Sequence, residues 1–522
     1  QNGTGSVNLA GSITPTNNNI SFSEAVTLDA AVSMNTGAAT GNIEFGFGVT
    51  GGQNLTLTAG TGTVHFKTTA QSSLGAFTVN NATKIQLDGE VTATGTVNLT
   101  AALIDVNKGM VARGQLIDLN AGANGLTVDG GNLIASGMFA DLAGGNIDID
   151  SVGNVVINST LMATGAYADG VGLAGGDVTI DVTGAGNTID ISSDINASGG
   201  WSTGDVAQGG AAGSITLNTN NGLITLTGND LSAYGGSGST QGAGGAITIS
   251  DELELAGLTV MLDTGLSGGT ITFSDVVDSA AGTNLTLEAG TGNIDFDAAV
   301  GSTNPLGAIN VKSVATLLAD STIEAASFEQ QSAVDSTGLT RFDGAVTLLN
   351  DFDFTGTELT FTAASNEIGG AMDVTNAGLF TTDDDATLEV GEQFRQDGTG
   401  TSSIGADITA SAGIDFAKAI LLTGSDVVTL ATGGDAGEDI VLGTDASTDI
   451  TGAGQALILD AGASGDITIE GDIGAAGADA LGAITITNAD QVLFDETVTA
   501  ASLTQSDAAS TGLTTFDGAV AL

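Results

Sequence analysis

The amino-acid sequence predicts an all-β protein built as a right-handed parallel β-helix, a solenoid of about 22 residues per coil with longer loop inserts in its middle. Three observations lead there. A phenylalanine phrase recurs at nearly fixed spacing, strand candidates are short and strictly alternating, and 80 glycines stand against only 2 prolines.

The phrase is an apolar residue, a spacer, a phenylalanine, then a small acidic stretch ending in an aliphatic residue. It reads Ile20-Ser21-Phe22-Ser23-Glu24-Ala25-Val26, Ile43-Glu44-Phe45, Val64-His65-Phe66, Ile271-Thr272-Phe273, Ile294-Asp295-Phe296, Phe342-Asp343-Gly344-Ala345-Val346, Ile414-Asp415-Phe416, Phe494-Asp495-Glu496-Thr497-Val498 and Phe516-Asp517-Gly518-Ala519-Val520. Neighbouring copies step by 23 (45 − 22), 21 (66 − 45), 23 (296 − 273), 46 or twice 23 (342 − 296), and 22 (516 − 494). A unit recurring at this interval is what stacked coils require. One Phe per coil at an equivalent position predicts an interior aromatic ladder of Phe22, Phe45, Phe66, Phe273, Phe296, Phe342, Phe416, Phe494 and Phe516, in which ring contacts add to area burial.

Runs such as Ile147-Asp148-Ile149 and Leu223-Ile224-Thr225-Leu226 put apolar groups on one side and Thr or Asp on the other. Helical periodicity is hard to find. An antiparallel sandwich would need hairpin pairing and would not explain a fixed long period, so three short parallel strands per coil, stacked on the next coil, are expected.

A second, longer repeat overlies the first. Leu285-Thr286-Leu287-Glu288-Ala289-Gly290, Leu306-Gly307-Ala308-Ile309 and Thr337-Gly338-Leu339-Thr340-Arg341-Phe342 return as Leu457-Ile458-Leu459-Asp460-Ala461-Gly462, Leu481-Gly482-Ala483-Ile484 and Thr511-Gly512-Leu513-Thr514-Thr515-Phe516. A partial copy opens at Leu55-Thr56-Leu57-Thr58-Ala59-Gly60. Between about 110 and 270 a different dialect appears, with Gly-Gly or Ala-Gly opening strands, as in Gly144-Gly145-Asn146-Ile147 and Gly175-Gly176-Asp177-Val178. Its extra length lies in glycine-rich inserts, Ala197-Ser198-Gly199-Gly200-Trp201-Ser202-Thr203-Gly204 and Tyr234-Gly235-Gly236-Ser237-Gly238, expected to project as loops from one corner. Three segments follow, 1–109, 110–270 and 271–522, forming one continuous solenoid. The last copy stops mid-repeat at Leu522, so axial continuation in a longer chain, or self-association end to end, is expected.

Eight Lys and Arg against 61 Asp and Glu give a formal charge of −53, which repels nucleic-acid phosphate and anionic headgroups. Nucleic acid is therefore not an expected partner. With 41% hydrophobic residues the chain can bury a core despite that charge. Cysteine is absent, so the core and the ladder hydrogen bonds must hold the fold. No apolar run reaches the length of a membrane span.

Asn187-Thr188-Ile189-Asp190-Ile191, followed by Ile195-Asn196-Ala197-Ser198-Gly199-Gly200 and a Gly-Gly restart, resembles the secreted β-helix repeats of the filamentous haemagglutinin type. The flanks, with Leu-Thr-Leu-Glu-Ala-Gly-Thr-Gly-Asn-Ile at 285–294 and Phe-Asp-Gly-Ala-Val-Thr-Leu at 342–348, resemble the tandem β-strand repeats of giant bacterial surface proteins. The resemblance implies an extracellular, cell-surface location.

The candidate sites are few. Acidic residues alternate with core positions, as in Asp148 and Asp150, Asp295 and Asp297, and Asp383-Asp384-Asp385. Stacked carboxylates make Ca²⁺ a candidate cofactor, against the equal alternative of a solvated acidic face, and no ligand set is assigned. His65 is the only histidine, too few parts for zinc or a His-based triad. Arg341 beside Asp343 is the nearest match to a lyase pair, but Thr515 replaces the arginine in the sister repeat. Trp201 and Tyr234 are rare aromatics in projecting inserts and are the candidate partner-binding residues, for a cell-surface or glycan ligand, against the equal alternative that they cap the coil corner. The expectation is therefore a non-catalytic structural or adhesive rod or filament component, not an enzyme. The alternatives are a polysaccharide-degrading enzyme on a β-helix and the stalk of a secreted toxin-delivery protein.

Overall fold

A computed structural model describes residues 5–67, 72–137, 142–202, 208–331, 338–384, 386–424, 427–474, 480–506 and 512–522. These contain strands and turns and no helix, and the chain is a parallel β-solenoid of about 21 turns at about 23 residues per turn. It forms two compact units. The first comprises Gln1–Thr283 with Glu288–Gly292, and the second Asn284–Leu287 with Asn293–Leu522. The strand Ile271–Phe273, grouped with the C-terminal repeats in the sequence, belongs to the first unit.

In the first unit most coils have three short strands, whereas the strand Val26–Asn35 spans two of these positions and pairs with both Val49–Thr50 and Leu55–Thr58. One coil runs Val97–Ala101, Leu103–Val106 and Met110–Val111, and the next Ile117–Ala121, Leu126–Val128 and Leu133–Ile134. Each pairs in parallel with its counterpart, Val97 on Ile117, Ile104 on Leu126 and Met110 on Leu133. The alternation read from the sequence is the burial pattern. In Ile147–Ser151 the two isoleucines are fully buried while Asp148 and Asp150 face outward. Each such buried aliphatic side chain contributes roughly 1.5–3 kcal/mol over its exposed state, and every coil repeats the contribution.

Asn or Asp immediately before a strand has a second task. Its side-chain oxygen accepts the backbone N–H of the equivalent residue one coil on. Asp177 N–H donates to Asn146 Oδ1 (3.0 Å) and Ser214 N–H to Asp177 Oδ1 (2.8 Å). In the second unit Asp466 N–H donates to Asp439 (2.8 Å) and Gln491 N–H to Asp466 (3.0 Å). A corner amide that no strand ladder satisfies is thereby paired, which gives the Asn-Ile and Asp-Ile starts a physical cause.

The second unit stacks Asn293–Phe296, Thr316–Ala319, Leu339–Phe342 and Glu358–Phe361 as one column. Its long strands Leu306–Ser313 and Ile323–Gln330 are succeeded by coils in which each divides in two, as in Val346–Leu348 with Phe352–Gly356. The long form returns at Leu481–Asn488 and Val498–Gln505. Leu306 faces Ala325 as Leu481 faces Ala500, and Ile309 faces Phe328 as Ile484 faces Leu503. The duplicated sequence is a duplicated pair of coils.

The phenylalanine column differs from a one-per-coil ladder. Phe22, Phe45 and Phe66 stack in register with ring centroids 5.6 and 4.7 Å apart, and Leu87 then takes the position. In the second unit Phe416 is followed by Leu442, Ile469, Phe494 and Phe516. Any large apolar side chain fills the slot, so the column carries volume rather than aromaticity. Phe273, Phe296, Phe342 and Phe494 are also buried, but Phe516 is not: it is 39% exposed, because only Phe494 stacks on it (4.9 Å) and no described coil covers its other face. Seven further phenylalanines are buried, Phe361 in register on Phe342 in the same column and Phe77, Phe328, Phe352, Phe354, Phe380 and Phe394 at other positions. The phrase missed them because none is followed four residues on by its closing aliphatic residue, although Phe352-Asp353-Phe354 shows the alternation plainly.

Candidate functional site

Within the described residues the glycine-rich inserts of the first unit are tied together by backbone hydrogen bonds. Each leaves the third strand of a coil and returns to the first strand of the next, as from Leu161–Met162 to Val178–Val182 and from Ile195–Asn196 to Ile215–Thr219. Outgoing and returning segments are linked by backbone hydrogen bonds: Gly200 N–H to Leu173 O (2.7 Å), Gly210 N–H to Gly200 O (2.8 Å), Gly236 N–H to Gly210 O (2.8 Å) and Gly242 N–H to Gly236 O (2.9 Å). Others run from coil to coil, Gly165 to Ser198 (3.0 Å) and Gly199 to Tyr234 (3.0 Å). A Cβ on Gly200 would lie 1.8 Å from the Ala166 carbonyl oxygen, and one on Gly210 2.1 Å from that of Leu173. Neither residue has positive φ, so glycine is needed here for backbone approach, not for an unusual dihedral.

This glycine sheet sets the aromatic residues. The outgoing segments run in register: Thr164-Gly165-Ala166-Tyr167, Ser198-Gly199-Gly200-Trp201 and Tyr234-Gly235-Gly236-Ser237. Ala168 N–H donates to Trp201 O (3.1 Å) and Ala168 pairs with Ser202. Trp201 consequently stands one coil from Tyr167, ring centroids 5.7 Å apart and planes at 78°, and both are about half exposed, at 48% and 46%. Tyr234 occupies the rank of Thr164 and Ser198. The three rings, the only tryptophan and both tyrosines of the chain, border one shallow hollow of about 110 Å³ whose other walls include Thr164, Asn196 and Ser198. Trp201 and Tyr234, read from the sequence only as two separate insert aromatics, border the same hollow, and Tyr167 was missed. Its signal was its place after Thr164-Gly165-Ala166, matching Ser198-Gly199-Gly200 before Trp201.

The polar groups of the hollow are uneven. Thr164 Oγ1 lies 2.6 Å from Ser136 Oγ, and Asn196 Oδ1 accepts the Ser198 N–H at 3.0 Å. Ser198 Oγ is buried, the residue being 3% exposed, and has no hydrogen-bond partner among the described residues.

The other candidates are repeat features. Asp118 pairs with Asp148, and Asp150 with Asp181, on adjacent coils. Burial, then the charges of Asp118, Asp150 and Asp177, raise the Asp148 carboxyl above its ordinary value, and burial with Asp181 and Asp118 does the same at Asp150. Burial followed by neighbouring carboxylates also raises Asp295 and Asp353. Among the described residues no three His, Cys, Asp or Glu side chains converge as a metal-binding group. Arg341 Nε donates to Asp343 at 2.6 Å, and both side chains are partly exposed. His65 is hydrogen bonded to Asp88 at 2.7 Å. Burial pushes the Asp88 carboxyl up, but hydrogen bonds from His65, Asn107 and Gln86 and the field of His65 outweigh it and hold it at about 2. Thr203, Gly204, Thr337 and Asp385 lie outside the described residues.

Fold and repeats define the chain as a parallel β-solenoid repeat protein. No family model, curated protein or solved structure matches it. Among the described residues no helix is long and apolar enough to cross a membrane.

Proposed function

We propose that this chain is a non-catalytic structural or adhesive component of a bacterial cell-surface filament, outside the cell. One observation carries the reading: the raised pKa values of Asp148 and Asp150 come first from burial and then from like carboxylates that the register of stacked coils brings close, Asp118 on Asp148 and Asp150 on Asp181, and not from a cleft that gathers unlike groups. Acid–base catalysis needs two titratable groups whose surroundings push them apart in pKa around one reacting bond. A column of equivalent carboxylates repeats one environment instead. The likeness of the 110–270 repeats to filamentous haemagglutinin coils, and of the flanks to giant surface-protein repeats, supports the location.

Purified protein incubated with a panel of neutral and acidic polysaccharides should release no new reducing ends. Turnover abolished by a single Asp→Asn substitution would overturn the reading.

A further inference from the structure

We infer that the hollow between Tyr167, Trp201 and Tyr234 is a binding site for one pyranose unit of an uncharged glycan. The inference rests on the adhesive reading above and specifies the ligand class that reading left open.

Three aromatic rings and the polar residues Thr164, Asn196 and Ser198 line the hollow. Tyr167 and Trp201 meet edge to face at 78° and remain half exposed. They form an open corner rather than a closed core contact. An aromatic ring carries a negative face that attracts the polarised C–H groups of a flat apolar surface, and one side of a pyranose ring is such a surface. Ser198 Oγ adds the selective element. A buried hydroxyl without a partner is unfavourable, and Ser198, a wall residue of the hollow, has a buried Oγ with no partner among the described residues. A sugar hydroxyl can donate to it or accept from it. Asn196, whose Oδ1 accepts the Ser198 N–H, is a further polar wall residue.

Charge narrows the class. A chain of net charge −53 disfavours uronic or sulfated sugars. Aromatic corners also attract quaternary ammonium groups, but such a cation makes no hydrogen bond, so Ser198 Oγ would stay unpaired. Among the described residues no carboxylate lines the hollow to hold a cation either. The glycine sheet favours binding further, since Trp201 sits between two hydrogen-bonded segments and loses little freedom when a ligand arrives.

The single tryptophan makes the test direct, because all intrinsic indole emission comes from this corner. The protein would be titrated with pentasaccharides of glucose, mannose, galactose and N-acetylglucosamine, with pentagalacturonate, and with choline chloride. At least one neutral pentasaccharide should give a saturable emission shift with a Kd on the order of 1 mM, while pentagalacturonate and choline give none. Ser198→Ala should weaken the binding about tenfold, and Trp201→Ala, followed by calorimetry, at least as much. No shift with any neutral pentasaccharide up to about 10 mM, a shift with choline instead, or binding unchanged in both variants would overturn the site. Reducing ends released from a bound pentasaccharide would instead sink the non-catalytic reading and leave the site standing.

Discussion

Gly210→Ala and Gly170→Ala make the same chemical change in neighbouring inserts, yet opposite outcomes are expected. At Gly210 the added methyl would sit 2.1 Å from the Leu173 carbonyl oxygen, against at least 3.4 Å for ordinary contact, so the backbones must part by about 1.3 Å (3.4 − 2.1). The same residue donates to Gly200 O and accepts from Gly236 N–H, both at 2.8 Å. Losing both, with each buried group unsatisfied at about 1–3 kcal/mol, amounts to roughly 2–6 kcal/mol of local destabilisation. Gly170 has nothing within 4 Å of the added atom and no positive φ. Its alanine variant should stay within about 1 kcal/mol of the parent, on the stabilising side, through reduced unfolded-state entropy. A repeat array opens in parts, so hydrogen exchange by peptide is the proper assay and a single melting temperature is not. Exchange over 198–213 and 233–245 should accelerate in Gly210→Ala and not in Gly170→Ala, with Trp201 emission moving to the red only in the former. Equal protection in the two variants would refute the claim that close backbone packing is what the glycines supply.

Two further predictions follow from the core and the surface. Phe45→Ala, at a fully buried position between Phe22 and Phe66, should cost about 3–5 kcal/mol locally, whereas Phe516→Ala, exposed and with one ring neighbour, should cost clearly less; hydrogen exchange over each coil decides, and equal losses would contradict the packing argument. The raised Asp148, Asp150, Asp295 and Asp353 bind protons more readily folded than unfolded, so stability should rise as pH falls from 7 through their elevated pKa values towards 3.8. Asp88 has the opposite sign: its contribution is full above 3.8 and is lost as pH falls to about 2, so coils around His65 should loosen first in strong acid. Denaturant titrations across pH check both, and stability declining steadily from pH 7 to 4 would refute the first.

Much of the coil was legible because its causes are local. Alternation in Ile147-Asp148-Ile149 needs only period-two side chains and one dry face, and each coil must nearly match the last for its ladder hydrogen bonds to pair. The Asn and Asp before each strand were visible as a pattern, but their hydrogen bonds to the next coil were not, since donor and acceptor are 31 residues apart at Asp177 and Asn146. The phenylalanine phrase identified buried positions while overstating their continuity, because Leu87 and Leu442 fill the same slot equally well.

Composition and spacing by themselves determined a stack of parallel coils, its acidic exterior and its duplicated C-terminal repeats. That Tyr167, Trp201 and Tyr234 share one hollow with Ser198, whose Oγ has no partner among the described residues, is visible only once the chain is folded. The inserts differ in length, with 31 residues from Ile147 to its partner Val178 (178 − 147) and 37 from Val178 to Ile215 (215 − 178), so no fixed offset aligns their aromatics. Alignment comes from glycine backbones approaching closely enough to hydrogen bond, and that approach exists only once the coils are stacked.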